Sequence, residues 1–111
     1  MEFAQDRAGE VAIVRLAGRF DSSTAQSVED NFAQLLGSGS LRLAIDMSRL
    51  EYISSAGLRV LLKIAKQIQR ASGKLVLFGL NRNVREVFSI TAFDRILSIQ
   101  IDQATAVAAL Q

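Results

Sequence analysis

The sequence contains no cysteine, histidine, proline or tryptophan, and a single tyrosine. Without cysteine there is no disulfide framework, thiol nucleophile or thiolate metal cage. Without histidine there is no imidazole base for a Ser–His–Asp triad and no mixed Cys/His zinc site. Most routes to catalysis in a small enzyme are thereby closed, and no enzymatic activity is expected. No Gly-rich phosphate loop of the Walker type occurs. Asp21, Asp46 and Asp94 are scattered along the chain and bring too few oxygen ligands together for a metal, so neither metal nor other cofactor is expected. No apolar run approaches the ~18–20 residues of a membrane span. The opening residues carry acids early and no apolar stretch, unlike a signal or transit peptide. A soluble, cytoplasmic chain is expected.

What is present points to one domain over residues 1–111, half of it hydrophobic and 22% charged. A chain of this size buries roughly 60–70% of the surface it would expose unfolded. Thirteen Lys and Arg against eleven Asp and Glu leave a formal charge of +2. That imbalance is too shallow for nucleic-acid binding, which needs a concentrated basic footprint, and no direct nucleic-acid partner is expected.

Glycine and small polar residues punctuate an alternating pattern. Residues 2–7 form a short strand and turn at Gly9 into an apolar run, 11–17, which ends at Gly18 and has the character of a central strand. The two predict an antiparallel hairpin. Ser23 and Gln26 fit a capping box for a helix carrying Val28, Phe32, Leu35 and Leu36, stopped by Gly37. Residues 41–46 form a third strand. A long helix runs from about Ala56 to Ser72, closed by Gly73, with Leu58, Leu61, Leu62, Ala65 and Ile68 as its apolar stripe. Residues 74–78 form a fourth strand, and Asn81 or Asn83 caps a helix with Val84, Val87 and Phe88. Residues 96–101 form a last strand, and Asp102 caps a final helix. This order implies an α/β fold with a mixed, mostly parallel sheet, its βα loops gathered at the carboxyl edge.

The segment 46–62, DMSRLEYISSAGLRVLL, carries the specific signal. Ser54 and Ser55 stand where a connecting segment enters the long helix, facing backbone N–H groups that lack intrahelical partners. Unmodified, a hydroxyl there can cap the helix, a contribution of about 0.5–2 kcal/mol. Phosphorylated, it would bring a charge of about −1.5 to −2 to the positive end of the helix dipole, where it is tolerated. Position alone leaves both readings open. A catalytic serine is disfavoured because no histidine exists to activate it.

That segment, with GRFDSSTA upstream at 18–25 and NRNVREVFSITAFDRIL downstream at 81–97, resembles the STAS domain of anti-sigma factor antagonists over nearly the whole chain. The resemblance implies a single STAS-like domain of four or five strands flanked by about four helices. It also implies a phosphorylation-switched binding protein in a partner-switching pathway. The unphosphorylated form would bind an anti-sigma factor that is usually also a serine kinase. Phosphorylation would release it, and a metal-dependent serine phosphatase would reverse the change. The family's phosphorylated serine falls on Ser55, in Ser55-Ala56-Gly57-Leu58, with Ser54 the second candidate. Ser54 stands where the best-known members commonly have aspartate. Asp21 resembles the family's acidic residue at the end of the second strand. STAS-like chains also serve as structural subunits of lipid transporters or sensory scaffolds, which is the alternative role.

Arg59, Lys63, Lys66 and Arg70 recur at helical spacing as a basic stripe opposite the apolar one, with no acid between them. Such a stripe is either a solvated face or a docking surface for an acidic partner with Ser55 at its head. Gly57 lies in the first turn of that helix, where glycine costs up to about 1 kcal/mol against alanine. Close approach of a partner's backbone, or of another part of the domain, would explain it.

Overall fold

The apolar run of the second strand sets the architecture, because a strand buried on both faces needs cover above and below. Val11, Ala12, Ile13, Val14 and Leu16 are all buried in the computed structural model, which describes residues 1–111. The elements are β1 (Glu2–Ala8), β2 (Val11–Phe20), α1 (Ala25–Gly37), β3 (Arg42–Ile53), α2 (Ser55–Arg70), β4 (Lys74–Phe78), α3 (Arg82–Ile90), β5 (Ser98–Gln100) and α4 (Gln103–Leu110), with one 3-10 turn at Phe93–Arg95. The sheet order is β1-β2-β3-β4-β5; β1 and β2 form the expected antiparallel hairpin and every other neighbouring pair is parallel.

Crossovers of one hand that step the same way across a sheet lay their helices on one face. Val28, Phe32 and Leu35 of α1, the buried side of α2, and Val84 and Phe88 of α3 accordingly share one 22-residue core with Val14, Leu16, Leu43 and Leu77. Ala106 and Leu110 of α4 close a 7-residue core on the other face, over Val11, Ile13, Ala44, Val76 and Phe78. The strand order never reverses, so the carboxyl edge has no crevice between oppositely directed crossovers. It presents an exposed rim instead.

Several boundaries differ from the sequence-based expectation. β2 runs through Gly18 to Phe20, and β3 continues past Asp46 to Ile53. Arg15 pairs with Asp46 and Ala17 with Arg49, then Gly18 with Leu50 and Arg19 with Tyr52, so β3 twice advances one residue further than β2. These bulges turn Met47, Leu50 and Ile53, three apart, onto one buried face, which hides them from a period-two search. The expected Ser23–Gln26 capping box does not form. Asp21 takes the amide and hydroxyl of Ser23 at 2.9 and 2.6 Å, and Gln26 donates to Asp30 at 3.0 Å. A short carboxylate two residues back offers Ser23 a nearer partner than the helix does.

Gly37 is the last residue of α1 rather than its stop. On α2, Val60 and Ile64 are buried, whereas Leu62 and Ala65 are only half-buried. The helix ends at Arg70, and Gly73 serves close packing: an added Cβ would run into the carbonyl of Leu41. The expected strand at 96–101 shrinks to Ser98–Gln100, leaving Ile96 and Ile101 largely exposed: Ile96 ends the 3-10 turn, and β4 stops at Phe78, opposite Gln100.

Candidate functional site

The parallel pairing of β2 with β3 brings Phe20 opposite Ile53, and the amide of Ser54 donates to the Phe20 carbonyl at 2.9 Å. Asp21 and Ser54 thus follow side by side at the carboxyl edge of the sheet. β3 runs straight to Ile53, so Ser54 is the only link between strand and helix, not the end of a longer connecting segment. Its backbone is extended and its hydroxyl accepts from the Gly57 amide at 3.4 Å, the long end of a capping bond. Ser55 is the first helical residue and is exposed. The two serines therefore differ: the hydroxyl of Ser54 is turned into the helix start, and Ser55 is exposed to solvent.

Gly57 is buried beneath this turn. A Cβ there would lie 2.9 Å from the Phe20 carbonyl oxygen and 2.9 Å from Cγ1 of Ile53. Its close approach is to the end of β2 in its own domain, so it presents no surface and acts by letting α2 start against the sheet.

Asp21 is half-buried. The Ser23 hydroxyl and then the Ser23 amide donate to its carboxylate, with a smaller contribution from Arg19, and together they hold its pKa below the ordinary value. It stays ionised at neutral pH beside Ser54. Arg19 Nε approaches it at 3.8 Å while the guanidinium lies 4.4 Å over the ring of Tyr52. Arg19 and Tyr52 belong to this rim but carried no sequence signal, since their pairing depends on the second bulge of β3.

Arg59, Lys63, Lys66 and Arg70 are all exposed and line one shallow surface groove along α2 with Leu62 and Gln67. The stripe is not uniformly free, however. Lys63 is paired with Glu29 of α1 at 2.7 Å, an acid absent from the helix itself and therefore invisible to its spacing. Arg59 Nε donates to the Ser55 carbonyl at 3.4 Å. Lys66 and Arg70 have no carboxylate within ion-pair distance. The three scattered acids stay apart: Asp46 faces Arg15 at 3.6 Å, and Asp94 lies in the 3-10 turn before β5. No helix is long and apolar enough to cross a membrane.

The family model of the STAS domain matches residues 3–108. The chain is 39% identical over 111 residues, 100% of its own length and 96% of the relative's, to a Bordetella bronchiseptica protein provisionally named anti-sigma factor antagonist BtrV. It is 31% identical over 85 residues, 77% of this chain and 75% of the relative, to the anti-sigma-B factor antagonist of Listeria monocytogenes. Among solved structures, a Thermotoga maritima protein provisionally named an anti-sigma factor antagonist superposes with a TM-score of 0.92 at 26% identity, covering 97% of this chain and 93% of that one.

Proposed function

Because this chain belongs to the STAS domain family of anti-sigma factor antagonists, we propose that it works by partner switching, with Ser55 as the residue that is phosphorylated. The unphosphorylated form binds an anti-sigma factor that also acts as a serine kinase. The observation that carries the choice of serine is the difference between neighbours: Ser54 caps the helix and is half-buried, whereas Ser55 is exposed. In the kinase, the Ser55 oxygen attacks the γ-phosphorus of ATP, ADP leaves, and the hydroxyl proton passes to the kinase. A metal-dependent phosphatase returns the hydroxyl by hydrolysis. The chain itself acts as ligand and substrate, with no catalytic step of its own.

The docking surface of this reading is the rim of Asp21, Ser54 and Ser55 continued along α2 by Arg59, Lys66 and Arg70. Lys63 contributes less, being neutralised by Glu29. A dianion at Ser55 opposes an acidic partner at the head of that surface while the helix dipole accommodates it. The test is phosphorylation of wild type, Ser55→Ala and Ser54→Ala by the cognate kinase with ATP, with the site read by mass spectrometry. Phosphate on Ser55 and at least tenfold weaker partner binding by Ser55→Asp are expected. Phosphate confined to another residue overturns the assignment. A stable complex indifferent to Ser55→Asp would favour the structural-subunit role instead.

A further inference from the structure

Arg59 stands apart from the other cations of α2. Its side chain folds back along the helix, and Nε donates to the backbone carbonyl of Ser55 at 3.4 Å. Helical side chains lean toward the N-terminal end of their helix, so a residue at i+4 covers the surface over residue i. Lys63 is already held by Glu29 at 2.7 Å. Lys66 and Arg70 follow Ser55 by eleven and fifteen positions. At a rise of 1.5 Å per residue they lie roughly 16 and 22 Å further along the axis. Among the cations of α2, Arg59 alone is both beside Ser55 and free of a carboxylate partner.

Resting on the reading that Ser55 carries the phosphate, we propose that Arg59 is the phosphate's internal counter-ion, its guanidinium moving from the Ser55 carbonyl to the phosphate oxygens. The planar fork of arginine suits two parallel hydrogen bonds to a phosphate, which a lysine ammonium does not offer. The movement needed is short, because the guanidinium already reaches the backbone of the modified residue. The modification then acts twice on the same surface. It adds negative charge at the head of the basic stripe, and it withdraws Arg59 from the partner that met it before. The clamp also gives the phosphorylated chain a defined local conformation rather than a freely rotating dianion.

The experiment uses the full chain with phosphoserine built in at position 55 by genetic incorporation or semisynthesis, so that no kinase is required. A phosphoserine monoester has its second ionisation near pH 6. Phosphorus NMR titration at low salt is expected to place that ionisation about 0.2–0.7 pH unit lower in wild type than in Arg59→Gln, the range an exposed ion pair supplies. Lys66→Gln should titrate like wild type. The Arg59 Nε–H resonance should move with the same midpoint as the phosphorus signal. Identical titrations for wild type and Arg59→Gln, or equal shifts for Arg59→Gln and Lys66→Gln, overturn the clamp. Arg59 is exposed on the helix surface, and matched melting curves exclude a folding difference between the variants. If a kinase labels another residue while the titration shows the clamp, the functional reading fails and the electrostatic inference stands.

Discussion

Two glycines in helices make opposite demands, and their neighbours tell them apart. Gly37 has nothing within 4 Å of where a Cβ would stand, whereas at Gly57 that atom would lie 2.9 Å from the Phe20 carbonyl oxygen. Gly37→Ala should therefore stabilise the chain by about 0.5 kcal/mol, through helix propensity and a less flexible unfolded chain. Gly57→Ala should destabilise it by about 1–2 kcal/mol, since overpacking outweighs the same propensity gain. Urea denaturation of the two variants checks both signs. On the proposed reading, Gly57→Ala should also weaken partner binding, because the added Cβ presses on Phe20 and Ile53 beneath the turn that carries Ser55. Neither outcome was legible from the residues alone. The sequence offered a glycine in a first turn and two explanations; only the approach of β2 to the start of α2 separates them. Ser54 and Ser55 were legible as a pair, but which hydroxyl caps the helix depends on where β3 ends.

At the scale of elements, α4 is the one most dependent on its surroundings. Its eight residues are too few to persist alone. It is held by Ala106 and Leu110 in the smaller core, by a bond from Arg15 to Gln103 at 3.1 Å, and by the Asp102–Thr105 capping box. Bonds from the Thr105 amide and then its hydroxyl lower the pKa of Asp102 from its ordinary 3.8. A carboxyl with a depressed folded pKa contributes stability fully present above its unfolded pKa and lost as pH falls through the folded one. The protection factors of the α4 amides, which remove the intrinsic pH dependence of exchange, should therefore fall below about pH 4, ahead of those of the central strands. Asp102→Asn keeps a neutral cap and should flatten part of that acid response. Asp6, which the Arg7 amide and then Arg15 hold low, and Asp21, which Ser23 holds low, add to the acid response of the chain as a whole. Asp102→Ala should loosen α4 at every pH. This cap was readable in advance because donor and acceptor lie three residues apart. The extent of β3 was not, because its bulges replace alternation by a spacing of three. The failed box at Ser23 shows the same limit: a local motif is outcompeted when a nearer carboxylate offers a better partner.

For the whole molecule, the formal +2 says less than its distribution. Arg15 is shared by Asp6 and Asp46 across β1, β2 and β3, and Glu29 cancels Lys63, leaving Arg59, Lys66 and Arg70 as the cations of α2 without a carboxylate partner, Arg59 nearest Ser55 and the other two further along the helix. Exposed charges of this kind steer encounter more than they hold a complex together. Lys66→Glu with Arg70→Glu should therefore lower the association rate with the anti-sigma factor several-fold at low ionic strength and leave dissociation nearly unchanged. The difference should shrink as salt rises past about 0.15 M, where the screening length falls to ~8 Å. Surface plasmon resonance across a salt series reads both rates. Ser55→Asp should behave differently, because it changes the rim proposed as the centre of the docking surface: its effect should fall largely on dissociation and persist at high salt. A salt-insensitive loss of association in the double variant would mean that these residues make direct contacts at the centre of the interface. Equal salt sensitivity for Ser55→Asp would mean that the switch works through long-range charge alone. The proposed phosphate carries about −2, enough to cancel the formal +2 of the chain, yet its leverage comes from where it stands, at the one edge where β2, β3 and α2 converge.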